Sequence, residues 1–282
     1  MLVCLLPLAL ILESPHCAEA KENGTPRAGQ CQTLVYSTNP NYPPYDWSVD
    51  GVRFDGASIE LLEMAAPPGV ELKPAVYPWK RSLFLAEQGK IDLLVSLRIT
   101  PERASYLVFT KHRAFPNPIV VFVRQDRTFP FESWADLKSK RGGISLGDTF
   151  GAGFDEYWRK ELHIEEASTM EDNFNKLDTG RIDYFVTSKY VGEAYSASHS
   201  SSHGVASLSP PISVQDIHFG FSRRSPCAAL VEQMSLKLEE LDREGIPERL
   251  LQKHLRRIQD RAIELPEWRD KELRQVRANN DT

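Results

Sequence analysis

The chain has 282 residues, a net charge of −5 and a pI of 5.9, with 26% charged and 41% hydrophobic residues. Both charge signs are interspersed, which is a globular composition and excludes a disordered or fibrous chain. No basic patch offers itself to nucleic acid or an anionic membrane, and the length suits one large domain or two of about 120 residues each.

Residues 2–12 form an apolar run without charge, and Ala18-Glu19-Ala20 then supplies a small-x-small cleavage site. Residues 1–20 therefore read as a signal peptide, too short to span a bilayer, although the usual Lys or Arg near the start is missing. Pro7 and Pro15 speak against the other reading, a buried helix. Removing the segment removes Cys4 and Cys17. Cys31 and Cys227 remain, and in an oxidising compartment they either bridge or stay separate thiols.

Short apolar strands then alternate with amphipathic helices, an α/β pattern. A strand is expected over residues 33–37, a helix over 58–66 with Ile59, Leu62 and Ala66 at helical spacing, and a strand over 70–77. A helix over 79–88 is ended by Gly89 and followed by a strand over 91–96. Next come a β-branched strand over 119–124, a short helix over 134–138 and a strand over 143–146. Helices over 154–162 and 170–179 follow, the second ended by Gly180, then a strand over 182–187. Residues 195–204 are rich in Ser and His and read as a loop. A strand over 214–222 precedes helices over 227–244 and 247–260, and the charged tail from Glu264 reads as a solvated helix.

One phrase occurs twice: Gln88-Gly89-Lys90-Ile91-Asp92 and Thr179-Gly180-Arg181-Ile182-Asp183. Each closes a βαβ run, as if one unit served two lobes. In this order and spacing the chain resembles the bacterial extracellular solute-binding proteins of family 3, the polar amino acid type. Asn41-Tyr42-Pro43-Pro44-Tyr45 with Asp50-Gly51 and Gly56 carries the first part of the resemblance. Gly89 to Asp92 running into Ser96-Leu97-Arg98-Ile99-Thr100-Pro101-Glu102-Arg103 and Phe109-Thr110 carries the second. Asp136-Leu137-Lys138 with residues 143–149, and Gly180 to Asp183 with Phe219-Gly220-Phe221, carry the rest.

The resemblance implies a two-lobed α/β fold of the periplasmic-binding-protein type II kind with two crossover strands, near residues 114–119 and 212–218. The first lobe would take residues 31–115 and 214–260, the second 116–213, with 261–282 a charged extension. It also implies a monomer in the periplasm that closes on a small carboxylate-bearing ligand and serves the membrane permease of an ABC importer, without a cofactor or nucleic acid.

Arg103 is the leading site residue. A guanidinium fork matches the two oxygens of a carboxylate, and in the resembling family this position grips the ligand's carboxylate; pairing with Glu102 or capping its own helix is the other reading. Ser96, Leu97 and Arg98 end the preceding strand, and alternation would turn Ser96 and Arg98 the same way. Arg98 stands where a small residue is commoner and points to a more anionic ligand or to a salt bridge. Tyr42 matches the stacking aromatic, and Trp79 with Arg81 either walls the pocket or packs. Asp148 and Thr149 precede a helix whose amides suit an anion. The glycines of residues 147–153 lack the spacing of a nucleotide loop. Ser188 falls where amino acid binders place a carboxylate for the ligand's ammonium. Either Asp148 or Glu193 substitutes, or the ligand range extends beyond amino acids to other carboxylates. No metal spacing or nucleophile elbow suggests an enzyme, and His199 and His203 sit in a loop poorly suited to zinc.

Overall fold

The computed structural model describes residues 31–198 and 202–260. The signal segment, Cys4, Cys17, His199 and the charged tail lie outside the described residues.

Between β1 (Thr33–Ser37) and α1 (Ala57–Ala65), the chain folds a small antiparallel sheet from β2 (Asn41–Tyr42), β3 (Asp46–Ser48) and β4 (Phe54–Asp55). It continues through β5 (Glu71–Pro74), α2 (Trp79–Glu87), β6 (Leu93–Leu97), α3 (Pro101–Tyr106) and β7 (Leu107–Phe109). A second region holds β8 (Pro118–Arg124), β9 (Arg141–Ser145), α4 (Phe154–Glu161), β10 (His163–Ala167), α5 (Met170–Asp178), β11 (Tyr184–Ser188), α6 (Lys189–Ser198), β12 (Val205–Ser207) and β13 (Ser213–Val214). The chain returns with β14 (His218–Ser222) and ends in α7 (Val231–Arg243) and α8 (Ile246–Gln259).

One sheet runs β5-β1-β6-β14-β7 and the other β10-β9-β11-β8-β12, with β13 also on β8. In each, three parallel strands are joined by helical crossovers, and an antiparallel strand (β14 or β8) follows the third. Parallel neighbours require such crossovers, and helices then cover the sheet faces. The two connecting segments meet in an antiparallel bridge between Phe115 and Ile217. This is a two-lobed α/β fold of type II with two crossovers.

The repeated phrase has a physical reason. Gly89 and Gly180 take φ values of 73° and 71°, the left-handed turn that stops α2 and α5. The following Asp then clamps the first parallel strand of its own sheet. Asp92 N donates to Val35 O at 2.9 Å, and Val35 N donates to the Asp92 carboxylate at 2.8 Å. Asp183 N donates to Arg141 O at 2.7 Å, and Arg141 N donates to the Asp183 carboxylate at 2.7 Å.

Each lobe has its own core. Leu34, Leu61, Leu62, Leu93, Val95, Phe219 and Phe221 are buried in the first, and Val121, Val123, Ile144, Phe154, Tyr184 and Val186 in the second. α6 follows the last parallel strand of the second sheet, yet its Tyr190, Val191 and Ala194 join the first core beside Leu250, Leu251 and Leu255 of α8. Tyr190 Oη donates to Glu248 Oε2 at 2.8 Å across that contact.

Four elements differ from their sequence reading. Residues 195–198, expected in a loop, are the last turn of α6, because burial of Tyr190, Val191, Ala194 and Tyr195 outweighs the weak propensity of the serines. The strand expected over 214–222 splits into β13 and β14 where the chain changes lobe. The helix expected from Cys227 opens as a 3-10 turn, Pro226–Leu230, because Ser225 Oγ caps Cys227 N at 3.0 Å and Pro226 opens the turn. The short helix near Trp134 is a 3-10 turn, Trp134–Leu137, with a Ser133/Asp136 capping box. Cys31 and Cys227 are joined by a disulfide, with Cα atoms 4.9 Å apart at a sequence separation of 196.

Candidate ligand-binding site

The C-terminal end of β6 builds one wall of a small concavity, as expected beyond the carboxyl ends of parallel strands. Asn39, Tyr42, Trp79, Ser96, Leu97, Arg98, Arg103 and Ile217 line a cavity of about 140 Å³. The structure thus brings together six of the sequence-chosen residues: Tyr42, Trp79, Ser96, Leu97, Arg98 and Arg103. Two larger concavities, of about 360 and 410 Å³, lie on the second lobe around Trp134 and Arg127, and contain none of these residues. The smaller cavity is the candidate because it gathers Arg98, Arg103, Ser96, Asn39 and two aromatic rings where β6 ends.

Arg103 is placed by local chemistry. Thr100 caps α3, its hydroxyl accepting from Arg103 N at 3.2 Å, and Pro101 occupies the first turn where no amide is needed. The half-buried Arg103 guanidinium lies 5.7 Å from the Trp79 ring centroid, and Nη1 donates to Arg98 O at 3.0 Å. Among the described residues it has no ion pair, so the Glu102 reading does not hold. Burial, followed by the charge of Arg98, lowers its pKa, while Tyr106, Glu102 and Tyr42 oppose this. A guanidinium stays charged nonetheless.

Ser96 departs from the expected alternation. Its φ of 59° is a left-handed conformation outside glycine's usual territory, and its hydroxyl donates inward to Ser58 Oγ. Arg98 lies past the end of β6 and is not turned the same way: Nη1 reaches the second lobe and donates to Thr149 O at 2.6 Å. Behind Ser96 sits Asp46, fully buried, with Oδ2 accepting from Thr38 Oγ1 at 2.8 Å and Oδ1 unpartnered. Burial raises its carboxyl to about 8, against the hydroxyls of Ser96, Thr38 and Ser58.

The second lobe meets this wall with Asp148 and Thr149. Burial raises Asp148 to about 6, and Arg98 pulls it the other way. The loop amides expected to meet an anion are partly engaged: Phe150 N and Gly151 N donate to Asp155 of α4 at 3.1 and 2.8 Å. A first-turn acid has taken the place of an external anion there. Ser188 is buried and does not line the cavity. Its Oγ donates to Asn117 Oδ1 at 2.5 Å, and Tyr45 Oη approaches the same oxygen at 3.3 Å. Glu193 lies in the field of Lys189 and Glu248 and is likewise absent from the cavity lining. Tyr42 stacks on Tyr45, centroids 5.2 Å apart. Burial raises the Tyr42 phenol to about 12.

Asn39, Asn117 and Ile217 escaped sequence reasoning. Asn39 precedes Tyr42 by three residues and was within reach of loop proximity. Asn117 and Ile217 stand on the two crossing segments and converge only through the fold. His203 faces Asp178, Nδ1 to Oδ1 3.1 Å, and no group of His, Cys, Asp or Glu among the described residues suits a metal.

The comparisons decide the family. The model of the bacterial extracellular solute-binding proteins, family 3, matches residues 34–257. The chain belongs to this family. Its relatives include a Bacillus subtilis protein named "Probable amino-acid-binding protein YxeM", 25% identical over 227 residues, 78% of this chain and 82% of that one. Among solved structures, the B. subtilis extracellular-binding protein ytmK superposes with a TM-score of 0.68 at 19% identity, covering 80% of this chain and 98% of that chain. The Streptococcus pneumoniae amino acid ABC transporter substrate-binding protein AbpA, bound to L-arginine, gives 0.60 at 18% identity, covering 80% and 96%. At these identities the two structures establish the shared fold. No helix of the described residues in this solute-binding protein is long and apolar enough to cross a membrane.

Proposed function

We propose that this solute-binding protein captures a small carboxylate-bearing molecule, an amino acid or a related organic acid, and delivers it to the permease of an ABC importer. Arg103 carries the reading: a half-buried guanidinium, placed by Thr100 and Trp79, without an ion-pair partner among the described residues, on the wall of a cavity at a strand end. Tyr42 and Trp79 supply flat walls, Ser96, Leu97 and Arg98 the strand tip, and Asp148 and Thr149 the closing face; Ser188 supports from behind. The Arg98–Thr149 contact supports capture by lobe closure, a hinge motion of the kind known for periplasmic binding proteins. The names of the relatives support the amino acid class and the importer as partner. Export through residues 1–20, a monomer in the periplasm, and lobes bounded at residues 31–115, 116–213 and 214–260 complete the proposal.

In a desolvated cleft a charge-assisted pair contributes about 1.5–3 kcal/mol. Arg103→Ala should therefore weaken carboxylate binding by roughly 10- to 100-fold in calorimetric titration. Unchanged affinity for every carboxylate tested would remove the basis of the reading.

A further inference from the structure

The cavity contains more positive charge than one carboxylate neutralises. Arg98 and Arg103 both line it, no Asp or Glu does, and neither guanidinium forms an ion pair among the described residues. Arg103 Nη1 donates to the backbone O of Arg98 at 3.0 Å, and the Arg98 charge helps lower the Arg103 pKa. The nearest acids offset this only in part. Asp46 is shut behind Ser96 and holds its proton at neutral pH. Asp148 faces Arg98 across the mouth, beyond ion-pair distance. The wall toward Ser188, Asn117 and Tyr45 is built of uncharged groups. Arg98 uses one N–H on Thr149 O, and a guanidinium has five.

We infer that the ligand carries two acid groups, the first held by Arg103 and the second by Arg98. This rests on the carboxylate-capture reading and adds a specificity residue to it. The cavity is small, about 140 Å³, which favours a short-chain diacid of about four or five carbons over a longer one. Arg98 then reads the ligand while touching the opposite lobe. Acidic amino acids and amine-free dicarboxylates share this chemistry.

Calorimetric titration of the mature chain with glutamate, glutamine, arginine and 2-oxoglutarate tests the inference on one five-carbon backbone. Glutamate or 2-oxoglutarate should bind about tenfold or more tightly than glutamine and arginine. Whichever of the two binds better tells whether an ammonium is accepted. In Arg98→Gln the advantage of glutamate over glutamine should shrink to about threefold or less, with Arg98→Lys intermediate and thermal unfolding confirming that both variants fold. Glutamine or arginine binding as tightly as the diacids, or an acid-over-amide preference unchanged in Arg98→Gln, would overturn it. Glutamine bound through Arg103 with no preference for glutamate sinks this inference alone. Binding of none of the four compounds, or binding unaffected by Arg103→Ala, sinks the capture reading with it.

Discussion

The two lobes use one strand order and diverge at the tips. In both, a left-handed Gly and an Asp clamp lock the third parallel strand against the first. Beyond that point β6 ends at Leu97 and gives way to Arg98 and the short helix bearing Arg103, whereas β11 ends in Thr187 and Ser188 and runs directly into α6, which opens with Lys189. The same scaffold therefore brings two guanidiniums to the cavity wall from the first lobe, while the matching strand end of the second buries its two hydroxyls at Thr187 and Ser188. The lobes also differ in continuity. The second lobe's sheet comes from a single stretch, while the first recruits β14 and α7–α8 from the far end of the chain and ties that return with Cys31–Cys227. The residues proposed to hold the solute lie mainly on the lobe that this disulfide ties.

The largest effect expected from this contrast is the disulfide's. Replacing both cysteines by Ser should cost about 2–5 kcal/mol in denaturant unfolding, because the bridge closes a very long loop. A loss under about 0.5 kcal/mol would show that packing of α7 and α8 alone holds the first lobe together.

Asp46 gives the next effect. Its folded-state carboxyl near 8 exceeds the ordinary 3.8, so the folded chain keeps a proton that the unfolded chain releases between those values. Stability then falls as pH rises from about 4 to 8. Asp46→Asn should flatten that slope in a melting-temperature profile. A wild-type profile that rises across the window would contradict a protonated Asp46.

The paired clamps sharpen the comparison directly. Asp183→Asn should cost about 1–2 kcal/mol through its lost charge-assisted bond. Asp92→Asn should cost more, since Asp92 also accepts from Ser225 Oγ at 2.6 Å and so anchors the returning segment, whereas the second contact of Asp183 is a 3.6 Å ion pair with the exposed Arg141 guanidinium. Equal costs would mean that the Ser225 bond is worth no more than the exposed Arg141–Asp183 pair.

The smallest effect falls on Asp148. Protonation below about 6 removes a competitor for Arg98, so affinity for an acidic ligand should rise severalfold as pH falls through that value. Asp148→Asn should abolish the rise, and a pH dependence that survives the substitution assigns it to another group.

What the sequence made legible follows the same division. The Gly-basic-Ile-Asp phrase was readable because each copy makes its own bonds within one βαβ unit. Arg103 was readable because Thr100 and Pro101 encode the helix start that places it. Ser96 was misread because its positive φ, beside Ser58 and Asp46, breaks an alternation that strand periodicity assumes. The two- and three-residue strands β2, β3 and β4 are too short to show a period. Asn117 and Ile217 carry no local signal, since two segments 100 residues apart in sequence bring them to the site. The serines of α6 concealed a helix that only packing against α8 reveals.

The affinity of the wild type and of Arg103→Ala for the tightest binder among a panel of amino acids and dicarboxylates, measured by calorimetry, tests the central claim most directly. The dissociation constant should rise by about tenfold or more while the melting temperature stays within a few degrees. An unchanged constant in a folded variant would mean that the first lobe's guanidinium does not hold the solute.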